Sequence, residues 1–84
     1  MLQNVLSLLS EVESDRTVPR NIRAAVVKAR EDLTNQKLDS AVRLNSAISV
    51  LDEVSNDTNI PSYTRTQIWN IVSTLEAINN EMKK

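Results

Sequence analysis

The chain has 84 residues and a formal net charge of −1, with no cysteine, no histidine and no glycine. Those absences remove the thiol nucleophile, the imidazole base, the ordinary zinc site and the glycine-rich phosphate loop. The near-zero charge speaks against a dedicated nucleic-acid binder. The length suits a single domain over residues 1–84, large enough for a core but with little stability to spare. Met1-Leu2-Gln3-Asn4 lacks the basic start of a signal peptide, and no run approaches the roughly 20 apolar residues of a membrane span. Absent cysteine is compatible with a reducing compartment. The expectation is a cytoplasmic protein with no membrane partner.

The spacing predicts a first helix over about Leu2 to Ser14, where Leu2, Val5, Leu9 and Val12 recur at helical period and Leu6 and Leu8 widen the stripe. Asp15-Arg16-Thr17-Val18-Pro19 breaks it. Pro19 biases Val18 away from helical angles and suits the first turn of a second helix, expected over Pro19 to Thr34. Ile22, Val26, Ala29 and Leu33 face inward there, and Ala25 beside them lets a neighbouring helix come close. Thr34 to Leu38 is the midpoint connection, with Asn35 expected in the left-handed cap that glycine usually supplies. Asp39 or Ser40 is the expected cap of a third helix, running to about Asn56 on Leu44, Ala47, Ile48, Leu51 and Val54. Asp57-Thr58-Asn59-Ile60-Pro61 makes the next break. A fourth helix follows on Ile68, Ile71, Val72, Leu75, Ile78 and Met82, fraying near Lys83.

The second half rewrites the first at an offset of 42 residues, the separation of Pro19 from Pro61. Leu9, Glu11, Val12, Asp15, Arg23 and Leu33 match Leu51, Glu53, Val54, Asp57, Arg65 and Leu75. A period of about 40 residues belongs to paired-helix repeats, here residues 2–34 and 40–82. Short breaks make successive helices antiparallel neighbours. The predicted fold is therefore all-α: an antiparallel, up-and-down four-helix bundle of two αα-hairpins related by a pseudo-twofold axis. The rival is an open stack of two repeats, which leaves terminal faces uncovered.

The first hairpin resembles a HEAT-type repeat through Asp15, Ile22-Arg23 and Ala24-Ala25; the second copy carries Thr64-Arg65-Thr66-Gln67 instead. Nearly the whole chain resembles the small archaeal family catalogued as uncharacterised protein family 0147 (UPF0147). The residues that carry this are Asp15 through Arg23, Ala47 through Val54, Ile60-Pro61 and Arg65 through Trp69. That resemblance implies an all-helical bundle of archaeal, cytoplasmic origin, and it implies no activity.

Four acids invite comparison with metal or acid–base sites, since Glu11 and Asp15, like Glu53 and Asp57, share a helix face. Acids at a helix C-terminus oppose the macrodipole and need compensation. Arg23 and Arg65 recur with them, so Asp15, Arg23, Asp57 and Arg65 are read as a structural clasp, with no metal and no cofactor expected. Residues shared by both copies are assigned to the fold, and those present in one copy are freer for function. Arg16, Arg20 and Arg30 stand out, because Thr58, Ser62 and Val72 replace them. With Arg23 they lie within roughly 80° around helix two, a stripe suited to phosphate or an acidic partner. The alternative is a solvated face with local ion pairs. Trp69, matched by Val27, falls about 100° from its core stripe, either anchoring a partner, with Arg65 one turn away for cation–π stacking, or filling the seam between hairpins. No enzyme is expected. The function expected is a protein-interaction module or adaptor; the alternative is an RNA- or ribosome-associated accessory protein using the stripe, and a homo-oligomer is also open.

Overall fold

The computed structural model describes the backbone of residues 2–82 and the side chains of 3–81. The expected places of Leu2 and Met82 in the apolar stripes, and the fraying near Lys83, lie outside those residues. Four helices form: α1 (Leu2–Ser14), α2 (Arg20–Thr34), α3 (Ser40–Ser55) and α4 (Ser62–Met82). Pro19 stands just before α2 rather than in its first turn, with φ −56° and ψ 150°.

All three connections are built alike. An Asp or Asn side chain folds back to accept the N–H two residues on: Asp15 Oδ1 from Thr17 at 2.9 Å, Asn35 Oδ1 from Lys37 at 3.0 Å, Asp57 Oδ1 from Asn59 at 2.8 Å. Such a turn replaces a backbone turn with a side chain. The fourth residue, Val18, Leu38 or Ile60, returns its N–H to the carbonyl of the first. The fifth, Pro19, Asp39 or Pro61, accepts the N–H of the arginine four residues on: Arg23, Arg43 or Arg65. Among the described residues no backbone has positive φ. A chain without glycine reverses three times because none of these turns needs the left-handed region.

Two expectations at the midpoint are corrected by this geometry. Asn35 is extended, at φ −78° and ψ 102°, because its side chain already makes the turn. Asp39 occupies the N-cap position of α3 but makes no side-chain hydrogen bond there.

The core is aliphatic. Val5, Leu9 and Val12 from α1 meet Ile22, Val26, Ala29 and Leu33 from α2. Leu44, Ala47, Leu51 and Val54 of α3 and Ile68, Ile71, Val72 and Leu75 of α4 complete it, with Val18 and Ile60 plugging one end. Leu6, Leu8, Ile48 and Ile78 are half-buried at its edges. Burying a Leu or Ile side chain contributes about 1.5–3 kcal/mol, so this aliphatic set drives the fold.

Each helix packs on two neighbours: α1 on α2 and α4, α3 on α2 and α4. Neither diagonal pair meets among the described residues. An open stack would separate α1 from α4, so the arrangement is a closed four-helix bundle, measuring 38 × 21 × 20 Å.

Candidate interaction surfaces

The basic stripe of α2 divides. Arg16 and Arg20 are exposed. Arg30 reaches across to α1, where its Nε and Nη2 donate to Glu13 Oε2 and Oε1 at 2.9 and 3.1 Å. This two-pronged bond raises the Arg30 pKa above its ordinary value and commits two of its five N–H donors to the fold. Arg23 is half-buried, with its Nε enclosed and unpartnered. The stripe therefore offers Arg16 and Arg20 to solvent rather than four free cations.

The expected clasp takes a different form. Among the described residues two ion pairs occur, Lys28–Asp32 at 3.1 Å and Arg30–Glu13; neither Asp15–Arg23 nor Asp57–Arg65 is one. The aspartates are occupied by their turns. Hydrogen bonds from the Thr17 hydroxyl and N–H hold the Asp15 carboxyl below its ordinary value, with Arg23 a smaller contributor. Asp57 Oδ2 accepts from Asn21 Nδ2 at 2.9 Å, tying the last connection to the first turn of α2. Arg65 instead donates to main chain: Nε to the Ser55 carbonyl at 3.2 Å and Nη2 to that of Asp57 at 3.3 Å. A cation on the Ser55 carbonyl, the last of α3, complements the helix dipole. Arg43 does related work at the midpoint, its Nε donating to the Leu38 carbonyl at 2.9 Å. That third arginine was missed by the offset of 42, although Asn35 to Arg43 has the spacing of Asp15 to Arg23.

Trp69 does not fill a seam. It is 54% exposed, and Tyr63 is 72% exposed. These are the only two aromatic residues of the chain, and both stand on α4 outside the core. Six residues apart, they lie about 120° from each other around the helix, so they form two spots rather than one patch. Val27, at the matching position of α2, is half-buried.

Shallow spaces lie along the α2–α3 seam, bordered by Ala25, where close approach of a neighbouring helix is the expectation, and by Glu53 and Asp57 of the acid pair. At one end Asn21, Ala25, Val50, Glu53, Val54 and Asp57 border a space of about 370 Å³. A second, shallower space of about 390 Å³ lies on the other side of Val50, beside Lys28, Asp32, Asn45 and Ser49. Ala25 was the available signal, a small residue next to a core stripe.

The profile of a family described as Uncharacterised protein family (UPF0147) matches residues 1–78. A UPF0147 protein of Methanocaldococcus jannaschii is 51% identical over 78 residues, covering 93% of this chain and 84% of its own. A UPF0147 protein of Methanothermobacter thermautotrophicus is 49% identical over 74 residues, covering 88% and 72%. The crystal structure of a protein from uncharacterised family UPF0147 of Thermoplasma acidophilum superposes with a TM-score of 0.87 at 36% identity, covering 90% of this chain and 89% of that one. Its four-helix arrangement is thus shared, and at these identities so is descent. The chain belongs to the uncharacterised protein family UPF0147.

Proposed function

We propose that this protein is a non-enzymatic interaction module or adaptor of the archaeal cytoplasm, which docks a protein partner through Trp69. One observation carries the reading: the single tryptophan stands 54% exposed on a bundle whose core contains no aromatic residue. A tryptophan left out of the core costs solvation of a large apolar ring, and it is a favoured anchor once a partner covers it. Among the described residues no helix is long and apolar enough to cross a membrane.

A second reading, an RNA- or ribosome-associated accessory role, draws support from the exposed Arg16 and Arg20. The tie of Arg30 to Glu13 weakens it by removing a cation from the stripe. Affinity capture from a native archaeal extract, with and without nuclease, separates the two. Protein docking predicts a nuclease-resistant partner whose purified form binds Trp69→Ala about thirtyfold more weakly, the effect of a 2 kcal/mol anchor. Nuclease-sensitive capture lost on Arg16/Arg20→Ala and kept on Trp69→Ala would replace it with the RNA reading.

A further inference from the structure

The geometry points to the α2–α3 cleft as a docking groove for a basic peptide segment, distinct from the Trp69 surface. Ala25, Val50 and Val54 give it an apolar strip within a lining that is otherwise polar, from Asn21, Glu53, Asn56 and Asp57. The groove stays open because Ala25 is too short to fill the space between two helices that otherwise pack along their length. The two spaces share Val50, and the α2 residues that border them, Asn21 to Asp32, span about 16 Å or three helical turns, the length of a short peptide rather than one side chain.

Charge selects the occupant. Glu53 and Asp57 stand at one end of the groove, and among the described residues no cation pairs with either: the two ion pairs there are Lys28–Asp32 and Arg30–Glu13. Lys28, the cation further along, is already neutralised by Asp32. The acidic end is also held in place. Asp57 receives Asn59 N–H on one carboxylate oxygen and Asn21 Nδ2 on the other, so its charge does not need to be ordered on binding. A short apolar strip beside an acidic end fits a segment that presents an aliphatic side chain to Val50 and a lysine or arginine to Glu53. The same carboxylates repel nucleic-acid phosphate.

The test uses the intact protein labelled with ¹⁵N and two probes, an amphipathic leucine–lysine peptide and its leucine–glutamate counterpart. The lysine peptide should bind and shift the amide signals of Asn21, Ala25, Val50 and Glu53, while the glutamate peptide should not. Glu53→Lys should weaken binding about tenfold, as an attraction becomes a repulsion. Glu76→Lys, the same charge change at an exposed position of α4, should leave affinity unchanged, and so should Trp69→Ala. Because Glu53 is exposed, its variant should keep the wild-type helical circular dichroism. Ala25→Leu provides a second check by filling the apolar strip, and should also weaken the peptide. Equal losses in Glu53→Lys and Glu76→Lys would reduce the effect to general charge and overturn the groove. Shifts confined to α4, absence of binding, or dimerisation through this face in sedimentation would overturn it as well.

Discussion

Arg30 on α2 and Glu13 on α1 form a two-pronged ion pair, with the guanidinium Nε and Nη2 at 2.9 and 3.1 Å from the two carboxylate oxygens. They are 17 residues apart in sequence and face each other across the α1–α2 hairpin, Glu13 near the end of α1 and Arg30 in the second half of α2. The bond removes from the basic stripe its member furthest along α2. It also fixes α2 against α1 on the solvent side of the seam. A double-mutant cycle of Glu13→Ala and Arg30→Ala, followed by urea unfolding, should show a favourable coupling that fades as salt is added, because both side chains are partly in water. A coupling of zero at low salt would mean that the pair does not persist in solution.

Arg65 should matter more to stability than its Asp neighbour would suggest. It satisfies the Ser55 and Asp57 carbonyls with a charged donor, an interaction of about 1.5–3 kcal/mol per bond at most. Arg65→Ala is expected to cost about 2 kcal/mol of unfolding free energy. Arg65→Lys should recover only part, since an ammonium lacks the planar fork that reaches both carbonyls. Full rescue by lysine would show that charge alone is at work.

The midpoint connection separates two kinds of turn. Asn35 makes its turn with the side-chain oxygen, so Asn35→Asp should be tolerated and Asn35→Gly should destabilise by about 1 kcal/mol. In a left-handed cap glycine would stabilise instead. Thermal unfolding of the two variants decides between them.

Acid should loosen the first connection in a defined direction. The Thr17 bonds depress the Asp15 pKa below its ordinary 3.8, so the folded state holds this carboxylate charged more tightly than the unfolded chain. Its contribution is complete above pH 3.8 and is lost as pH falls through the lower folded value. An NMR titration of the Asp15 carboxyl should show the depressed midpoint, and Thr17→Val should return it toward 3.8.

Leu9 and Leu51 are both fully buried and match at the offset of 42. If the hairpins are equivalent parts of one core, Leu9→Ala and Leu51→Ala should each cost about 2–5 kcal/mol and by similar amounts. A difference beyond about 2 kcal/mol would argue that the halves carry unequal shares of the core.

The helices were legible because this chain separates its signals cleanly. Aliphatic residues recur at helical period, and polar five-residue breaks interrupt them where Pro19 and Pro61 cannot continue a helix. The third break was harder to read, since Asp39 stands where the other two have proline. What spacing could not supply were pairings across helices. Glu13 meets Arg30, and Asn21 meets Asp57 across 36 residues, only because of how the hairpins pack. Asp15 and Asp57 were assigned to arginine partners by recurrence, yet a nearby N–H satisfies a carboxylate at lower entropic cost than a distant side chain does. Trp69 was placed off the core stripe by angle alone, but its exposure depended on whether a neighbouring helix covered that side. The α2–α3 cleft needed the same information, since an alanine marks an open groove only if the opposing residues also leave room.

Trp69 is the single tryptophan of the chain, so its fluorescence reports on docking without any label. Purified protein should show the red-shifted emission and ready acrylamide quenching of an exposed indole. Saturation with the captured partner should shift the emission to the blue and shield it from quenching, because an anchor residue is desolvated in the complex. Unchanged emission and quenching in a complex shown to form by sedimentation would place the partner elsewhere and contradict docking through Trp69.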